Sequence, residues 1–282
     1  MKIIVGKNAG FCYGVENAVN STKKILKEEK KIDIIGEIVH NQDVINELES
    51  LGLNIIESEK EAIDKVIIRA HGTTKEVYSY LENKKIKIYD YTCPKVLIIH
   101  NLASKLKKEG YSILLLGSKK HPENIGTISY CGEGSQIVEN KDDIEKFLDN
   151  NTNKKIALIV QTTHNYDNYI EVKEYLELKL KEKDIDFYTK NTICSATSER
   201  QEEVKELSKK VDTMIIVGGK KSSNTTKLYK IALENCKNTM SVENEKDIDL
   251  EKIFGEIGVM AGASTSKDTV LKVIEKIKKN VI

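Results

Sequence analysis

Short apolar runs alternate with amphipathic stretches along nearly the whole chain. Residues 31–38, 111–116 and 213–217 are typical runs, and each has the length and branched apolar content of a buried strand. The stretches between such runs, as in residues 15–26, place apolar side chains at i, i+3, i+4 and i+7, which predicts helices with one buried face. Strands that alternate with helices indicate an α/β protein with parallel sheets covered by helices on both faces.

Three cysteines are each followed, 28 residues later, by a polar residue that comes after a predicted strand. The pairs are Cys12 with His40, Cys93 with His121, and Cys194 with Ser222. A recurrence at fixed spacing indicates an internal repeat. We therefore predict three α/β repeats, at residues 12–92, 93–193 and 194–282.

The third repeat lacks a strand at its end, and the N-terminus is predicted to supply it. Residues 1–6 lead to Cys12 as residues 87–89 lead to Cys93, so residues 1–11 would complete the last repeat. Three lobes related by a pseudo-threefold axis would form a trefoil. Because ligands of parallel α/β sheets bind beyond the carboxyl ends of the strands, we expect the cysteines and the polar residues to meet at its centre.

Composition and charge narrow the classes of function. Of the 282 residues 32% are charged, the net charge is +1, and the two signs are interspersed, so nothing favours nucleic-acid binding. No apolar run reaches the roughly 18 to 20 residues that span a bilayer, and the first residues do not have a signal-peptide layout. We therefore expect a cytoplasmic protein without a membrane partner, whose five cysteines serve a metal or catalysis rather than disulfides.

Arginine is scarce in this lysine-rich chain. The only arginines are Arg69 and Arg200, and Arg200 lies six residues after Cys194. We expect arginine to remain where a rigid planar fork of donors is needed.

The three repeat cysteines allow three interpretations. Three thiolates on a threefold axis match three corners of a cubane iron–sulfur cluster and leave one iron open to a substrate oxygen, which gives Lewis-acid chemistry. Zinc bound by three cysteines and a histidine is the competing metal site. Three buried structural cysteines are the third interpretation, and it is the one we expect for Cys131 and Cys236, which do not fit the repeat spacing.

The ends of the other predicted strands carry side chains suited to an anion. They are His40 and Asn41, His121 to Asn124, Ser222 to Asn224, His71, Thr162 and Thr163, and Ser264. Such side chains, with nearby helix N-termini, suit a phosphate, although each histidine taken singly is more often structural. Glu123 is the one carboxylate expected near the centre, and it could supply protons with Thr162 as a hydroxyl relay. The alternative role for Glu123 is that of a glutamate favourably placed at a helix N-terminus.

Eight segments, in order along essentially the whole chain, are similar to one family. They are Ala9-Gly10-Phe11-Cys12-Tyr13-Gly14-Val15, Gly36-Glu37-Ile38-Val39-His40-Asn41, Arg69-Ala70-His71-Gly72, Thr92-Cys93-Pro94, His121-Pro122-Glu123, Gln161-Thr162-Thr163, Ser222-Ser223-Asn224 and Gly262-Ala263-Ser264. As a set they resemble the 4-hydroxy-3-methylbut-2-enyl diphosphate reductases of the LytB/IspH family, which complete the methylerythritol phosphate route to isoprenoids. A departure is His164, where the family more often has an apolar residue.

The resemblance implies a cofactor, a reaction and a set of site residues. Cys12, Cys93 and Cys194 would hold a [4Fe–4S] cluster with one iron not ligated by the protein, and loss of that iron would leave [3Fe–4S]. The substrate hydroxyl would bind the open iron, and two electrons from a donor such as ferredoxin or flavodoxin, with protons, would expel it as water. The products would be isopentenyl and dimethylallyl diphosphate. The catalytic residues would be Glu123, Thr162 and His121, and the substrate would be bound by His40, His71, His121, Thr162, Ser222, Ser223, Asn224 and Ser264.

Two other functions remain alternatives at this point. Quinolinate synthase also has three lobes and three cluster cysteines, but the His-Pro-Glu and Ser-Ser-Asn segments argue against it. A non-enzymatic iron–sulfur or zinc sensor is the other alternative, although nothing in the sequence resembles a DNA-reading or partner-binding module.

Overall fold

The computed structural model describes residues 2–281, with side chains to residue 280. In this range the chain forms twelve strands and ten α-helices. The strands are β1 (Ile3–Val5), β2 (Ile32–Ile35), β3 (Leu53–Ile56), β4 (Lys65–Ile68), β5 (Lys87–Asp90), β6 (Ser112–Leu116), β7 (Gln136–Val138), β8 (Lys155–Val160), β9 (Asp186–Thr189), β10 (Thr213–Val217), β11 (Thr239–Val242) and β12 (Ile257–Ala261). The helices are α1 (Tyr13–Glu29), α2 (Gln42–Ser50), α3 (Lys75–Asn83), α4 (Pro94–Lys108), α5 (Pro122–Ile128), α6 (Lys141–Asn150), α7 (Tyr166–Glu182), α8 (Ser195–Ser208), α9 (Ser223–Asn235) and α10 (Lys267–Val281).

The strands form three four-stranded sheets with one topology. The sheet orders are β3-β2-β4-β5, β7-β6-β8-β9 and β11-β10-β12-β1, and every pairing within the described residues is parallel. The two central strands of each sheet are the first and third of its repeat in chain order. They are β2 and β4, β6 and β8, and β10 and β12. The N-terminal strand takes the fourth place of the last sheet, where Ile3 is in register with Ile257. The predicted α/β class with parallel sheets is confirmed, as is the strand that the N-terminus adds.

The chain divides into two compact units. Unit one consists of Met1–Lys23, Glu37–Leu51 and Ser195–Ile282, and it carries the sheet β11-β10-β12-β1. Unit two consists of Lys24–Gly36 and Gly52–Cys194, and it carries the other two sheets. The repeat boundaries at residues 12, 93 and 194 stay a prediction.

The central strands are buried on both faces, which explains their unbroken apolar runs. In unit two, Leu114 of β6 and Leu158 of β8 pack with α6 and α7, whereas the alternate residues Ile113 and Ile159 pack with α4. Helices therefore cover both faces of this sheet, as predicted. None of the helices in residues 2–281 is both long enough and apolar enough to cross a lipid bilayer.

One predicted strand is too long. The apolar pattern predicts a strand over residues 31–38, but β2 ends at Ile35. Gly36 ends it with a φ of +68°, in the left-handed region that glycine adopts at little cost. A Cβ at Gly36 would lie 2.8 Å from Nη1 of Arg69, so the turn is also where the guanidinium packs. The strand therefore ends at a glycine turn, and a side chain distant in sequence packs against that turn.

Candidate active site

The three repeat cysteines occupy equivalent places in the three sheets. Each follows the fourth strand of its sheet, lies directly before a helix and is partly exposed. Each also donates its backbone N–H to a carbonyl in the loop after the third strand. The bonds are Cys12 N to Ala263 O (3.1 Å), Cys93 N to Ala70 O (3.0 Å) and Cys194 N to Thr162 O (2.9 Å). The backbone at each cysteine is thus fixed in the same way, and the residue remains open enough for its thiol to reach a ligand.

The other two cysteines are buried, as predicted. Cys131 and Cys236 are each 6% exposed. Burial raises the pKa of the Cys131 thiol to about 12, and this thiol donates to the carbonyl of Thr127 at 3.5 Å. A thiol of that pKa stays protonated at neutral pH, and it is the thiolate that binds metal or attacks as a nucleophile.

Glu123 and Thr162 form a buried pair in unit two. Glu123 is 2% exposed, lies in the first turn of α5 and faces the loop that follows β8. Thr162 donates its backbone N–H to Oε1 at 2.7 Å and its hydroxyl to Oε2 at 2.5 Å. Both carboxylate oxygens are therefore oriented by one residue. The short hydroxyl contact is a path along which a proton can move between the threonine and the carboxyl group.

Two histidines of unit two lie edge to face. The ring centroids of His71, after β4, and His121, after β6, are 5.3 Å apart at an interplanar angle of 89°. His121 is also the N-cap of α5, because its Nδ1 accepts the backbone N–H of Glu123 at 3.3 Å. When Nδ1 accepts, the proton of the neutral ring lies on Nε2. His121 therefore offers an N–H donor, as an anionic ligand requires, in addition to its structural role as a cap.

An amide pair connects the loops after β6 and β8 through a hydrogen bond that the sequence does not predict. Asn124 is fully buried, and its Nδ2 donates to Ser118 O and to Oε1 of Gln161, both at 2.9 Å. Gln161 in turn donates to Thr163 Oγ1 at 2.8 Å. Because these amides flank Glu123 and Thr162 in sequence, they hold the two loops that carry the pair. Their one signal in the sequence is their position, since each is an uncharged amide directly beside a proposed catalytic residue.

Among the described residues of unit one, a buried amide has no hydrogen-bond partner. Asn224, in the first turn of α9, is 3% exposed, and within the described chain neither its Oδ1 nor its Nδ2 has a hydrogen-bond partner. A buried polar group left unpaired costs about 1–3 kcal/mol. Such a cost is typical of a site built for a ligand.

Unit one also contains the hydroxyl groups of Ser222 and Ser264 and the loop of His40. Ser222 caps α9, and its hydroxyl lies 3.4 Å from that of Ser264, in the loop after β12. The backbone of Gly219 lies against the loop of His40, since a Cβ at Gly219 would lie 2.1 Å from the His40 carbonyl oxygen. His40 contacts Glu37 through Nδ1 at 3.1 Å. Hydroxyls, an amide and the N–H groups at a helix start suit the oxygens of a phosphate.

His164, the departure from the family pattern, has a local structural partner. Its Nε2 lies 2.7 Å from Oδ1 of Asn168, in the first turn of α7. The contact lies within one short segment of unit two, so His164 stabilises the start of α7.

His100 is a buried histidine beneath the loop of His71. It is 3% exposed, stacks on Tyr130 with ring centroids 4.1 Å apart, and its Cε1 would lie 3.1 Å from a Cβ at Gly72. Burial lowers the pKa of His100 to about 4, below the usual value near 6.5. The imidazole is therefore neutral in the folded protein at neutral pH.

This low pKa predicts a loss of stability in acid. As the pH falls from about 6.5 to about 4, the unfolded chain binds a proton that folded His100 does not, so the free energy of unfolding decreases. The contribution is at most about 3 kcal/mol. His100→Phe keeps the stacked ring but cannot titrate, so its stability should fall less between pH 7 and pH 4.5 than that of the wild type. Urea denaturation followed by circular dichroism at the two pH values measures this difference, and equal losses would contradict the assignment.

The comparisons with known proteins agree along the whole chain. Residues 3–278 match the profile of the family described as LytB protein. A protein of Thermoanaerobacter sp. (strain X514) named 4-hydroxy-3-methylbut-2-enyl diphosphate reductase is 40% identical over 286 residues, which cover 99% of this chain and 97% of that protein. An Aquifex aeolicus protein of the same name is 39% identical, covering 99% of this chain and 95% of its own length.

Two solved structures are also similar to this chain. One is described as (E)-4-hydroxy-3-methyl-but-2-enyl diphosphate reductase, the terminal enzyme of the non-mevalonate pathway; it is 37% identical with a TM-score of 0.72 and covers 99% of both chains. The other, the E-1-hydroxy-2-methyl-but-2-enyl-4-diphosphate reductase of Plasmodium falciparum, is 30% identical with a TM-score of 0.89, covering 97% of this chain and 87% of its own. Sequence and fold thus point to the same group of proteins.

Proposed function

The chain belongs to the LytB protein family, and we propose that it reduces 4-hydroxy-3-methylbut-2-enyl diphosphate. In the proposed reaction two electrons and two protons enter, the carbon–oxygen bond of the hydroxymethyl group breaks, and one water leaves. The diphosphate remains intact, and the products are isopentenyl and dimethylallyl diphosphate. The observation that carries the proposal is the similarity, over almost the full chain, to reductases of that name.

The proposed cofactor is a [4Fe–4S] cluster held by Cys12, Cys93 and Cys194, which can lose one iron and become [3Fe–4S]. The donor set fits this group, because these three cysteines are partly exposed, equivalent in topology and fixed through their backbone N–H groups. When bound, the cluster supplies electrons and, at the iron that lacks a protein ligand, a Lewis acid. Three protein ligands would leave one iron for the substrate, which would distinguish this site from that of a simple electron carrier with four cysteines.

The proposed diphosphate ligands are polar side chains at the ends of central strands, and none of them is a lysine or an arginine. In unit one, the unpaired amide of Asn224 would gain partners from phosphate oxygens, and the Ser222 and Ser264 hydroxyls would donate to them. The N–H groups in the first turn of α9, at Ser223 and Asn224, add positive dipole ends to the site. The remaining proposed ligands are His40, His71, His121 and Thr162.

Glu123 is the proposed proton donor, with Thr162 as the relay and His121 as the adjoining N–H donor. The carboxyl group is buried, and both of its oxygens are held in place by Thr162, so a proton on it is protected from exchange with bulk water and aimed along one contact. Such positioned proton transfer contributes about 10²- to 10⁴-fold to rate. The electrons would come from an external one-electron donor of the ferredoxin or flavodoxin type, and the location in the cytoplasm stays a prediction.

Turnover of the substrate tests the proposal. Protein purified without oxygen should consume 4-hydroxy-3-methylbut-2-enyl diphosphate when dithionite-reduced viologen is present, with one product formed for each two electrons used. The electron count follows from viologen absorbance and the products from mass spectrometry. A preparation that holds iron and sulfide but consumes no substrate would contradict the proposed reaction.

A further inference from the structure

Helix α8 carries an arginine whose guanidinium bridges two segments of unit one. Arg200 is 4% exposed. Its Nη1 donates to Ala196 O at 2.8 Å and its Nη2 to Gly10 O at 2.9 Å. Gly10 lies two residues before Cys12, and Ala196 lies two residues after Cys194. A single buried cation thus connects the segment that leads to one proposed ligand with the start of the helix that follows another.

A carboxylate one turn further along α8 holds the same N-terminal segment at its other end. Glu203 accepts the backbone N–H of Lys7 through Oε1. Its Oε2 accepts the backbone N–H and the side-chain amide of Asn8, both at 3.0 Å. The segment also comes close to the helix side, since a Cβ at Gly6 would lie 3.3 Å from Cδ of Glu203. Residues 6–10 are therefore held by side chains of α8 at both ends.

The segment needs such support because it has no regular structure of its own. Between β1 and α1 it forms one turn, in which Ala9 N–H bonds to Gly6 O at 3.1 Å, and Gly10 has a φ of +133°. An extended loop of this kind has many accessible conformations, and fixing its residues in one of them has an entropic cost. Charge-assisted hydrogen bonds from a helix are among the contacts strong enough to offset that cost.

We propose that Arg200 and Glu203, the α8 brace, are positioning residues that fix the Cys12 segment for cluster binding. This inference rests on the proposed function, since it assumes that Cys12 is a cluster ligand. An arginine is required because its two terminal nitrogens bond two carbonyls of different segments at once, whereas a lysine presents one point charge. The brace would therefore explain why one of only two arginines in the chain stands on α8.

Two substitutions at Arg200 distinguish the effect of the paired guanidinium donors from the effect of the positive charge. Arg200→Met removes the donors and the charge, and Arg200→Lys keeps the charge. With anaerobically prepared holoenzyme and a ferrous chelator, we expect iron release about tenfold faster for Arg200→Met, since bonds from charged groups each contribute appreciably. Release for Arg200→Lys should be intermediate. The reduction potential should become more negative in Arg200→Met and stay close to wild type in Arg200→Lys, because only the first loses a nearby cation.

Two milder variants test the same contacts if Arg200→Met does not fold. Glu203→Gln weakens the hold on Lys7 and Asn8, and Glu202→Gln changes the neighbouring exposed carboxylate on the same helix. We expect faster iron release only for Glu203→Gln, with unchanged thermal unfolding of the cluster-free protein in both. Equal release rates for Glu203→Gln, Glu202→Gln and wild type would overturn the role of Glu203.

Hydrogen exchange of the cluster-free protein tests the brace without the cofactor. Peptides that cover residues 7–12 should exchange faster in Arg200→Met than in wild type, and should be unchanged in Glu202→Gln. If wild-type protein takes up no iron, the proposed function fails, and the exchange result still decides whether Arg200 orders the segment. If wild type holds iron, and Arg200→Met shows wild-type release and wild-type exchange, the brace is wrong.

Discussion

Cys12→Ser, Cys93→Ser and Cys194→Ser should each yield a folded protein that retains almost no iron. A serine hydroxyl does not ionise at neutral pH, whereas a thiolate is the form that binds iron. Partners outside a ligand set already change metal affinity by about 10- to 100-fold, so loss of a direct ligand should cost at least about 100-fold. Iron and sulfide analysis of anaerobically purified protein, with its absorbance spectrum, gives the result.

The two remaining cysteines provide a matched control. Cys131 and Cys236 are buried apolar residues, so Cys131→Ser and Cys236→Ser should keep wild-type iron content. Their substitution costs some stability instead, because a hydroxyl is placed in an apolar site. Iron loss of the same size in all five serine variants would mean that the cluster is lost through general destabilisation, which contradicts the ligand assignment.

Glu123→Gln should bind the substrate normally and turn over about 10²- to 10⁴-fold more slowly. Glutamine has the same shape, its Oε1 can still accept the N–H of Thr162, and its amide can donate to the threonine oxygen. The buried contact is thereby preserved while the acidic proton is removed. Rapid-mix kinetics separate the two effects, with binding read from cluster absorbance and turnover from oxidation of reduced viologen.

The control for Glu123 is a carboxylate of the same unit that lies in solvent. Glu133 is exposed, so Glu133→Gln should leave both binding and turnover at the wild-type level. Turnover of Glu123→Gln within about twofold of wild type would remove the proton-donor role, since Brønsted catalysis of this kind is worth far more than that. Loss of substrate binding in Glu123→Gln would instead assign the carboxylate to the diphosphate site.

The repeat pattern was sufficient to predict the sheets. Apolar runs buried on both faces identify the central strands. The 28-residue interval that follows each of Cys12, Cys93 and Cys194 identifies equivalent positions after the fourth strands. Even the contribution of β1 to the last sheet follows from sequence, because the third repeat has no strand of its own to place there. Periodicity carries this information since it reflects burial, which repeats with the topology.

Contacts between loops could not be predicted in the same way. Arg69 packs against Gly36 at the end of β2, and Asn124 is hydrogen-bonded to Gln161; both contacts depend on which strands lie side by side. The unpaired amide of Asn224 is visible only when its surroundings are known. Such features arise from side chains far apart in sequence, so the sequence indicates their residue types but not their partners.

The central claim is that three cysteines hold a cluster with one iron left open to the substrate. Mössbauer spectroscopy of protein enriched in ⁵⁷Fe, with and without 4-hydroxy-3-methylbut-2-enyl diphosphate, tests it most directly. We predict one iron in an environment distinct from the other three, whose signal changes when the substrate is added while the other signals remain. Four equivalent irons, or a distinct iron that does not respond to the substrate, would contradict the claim.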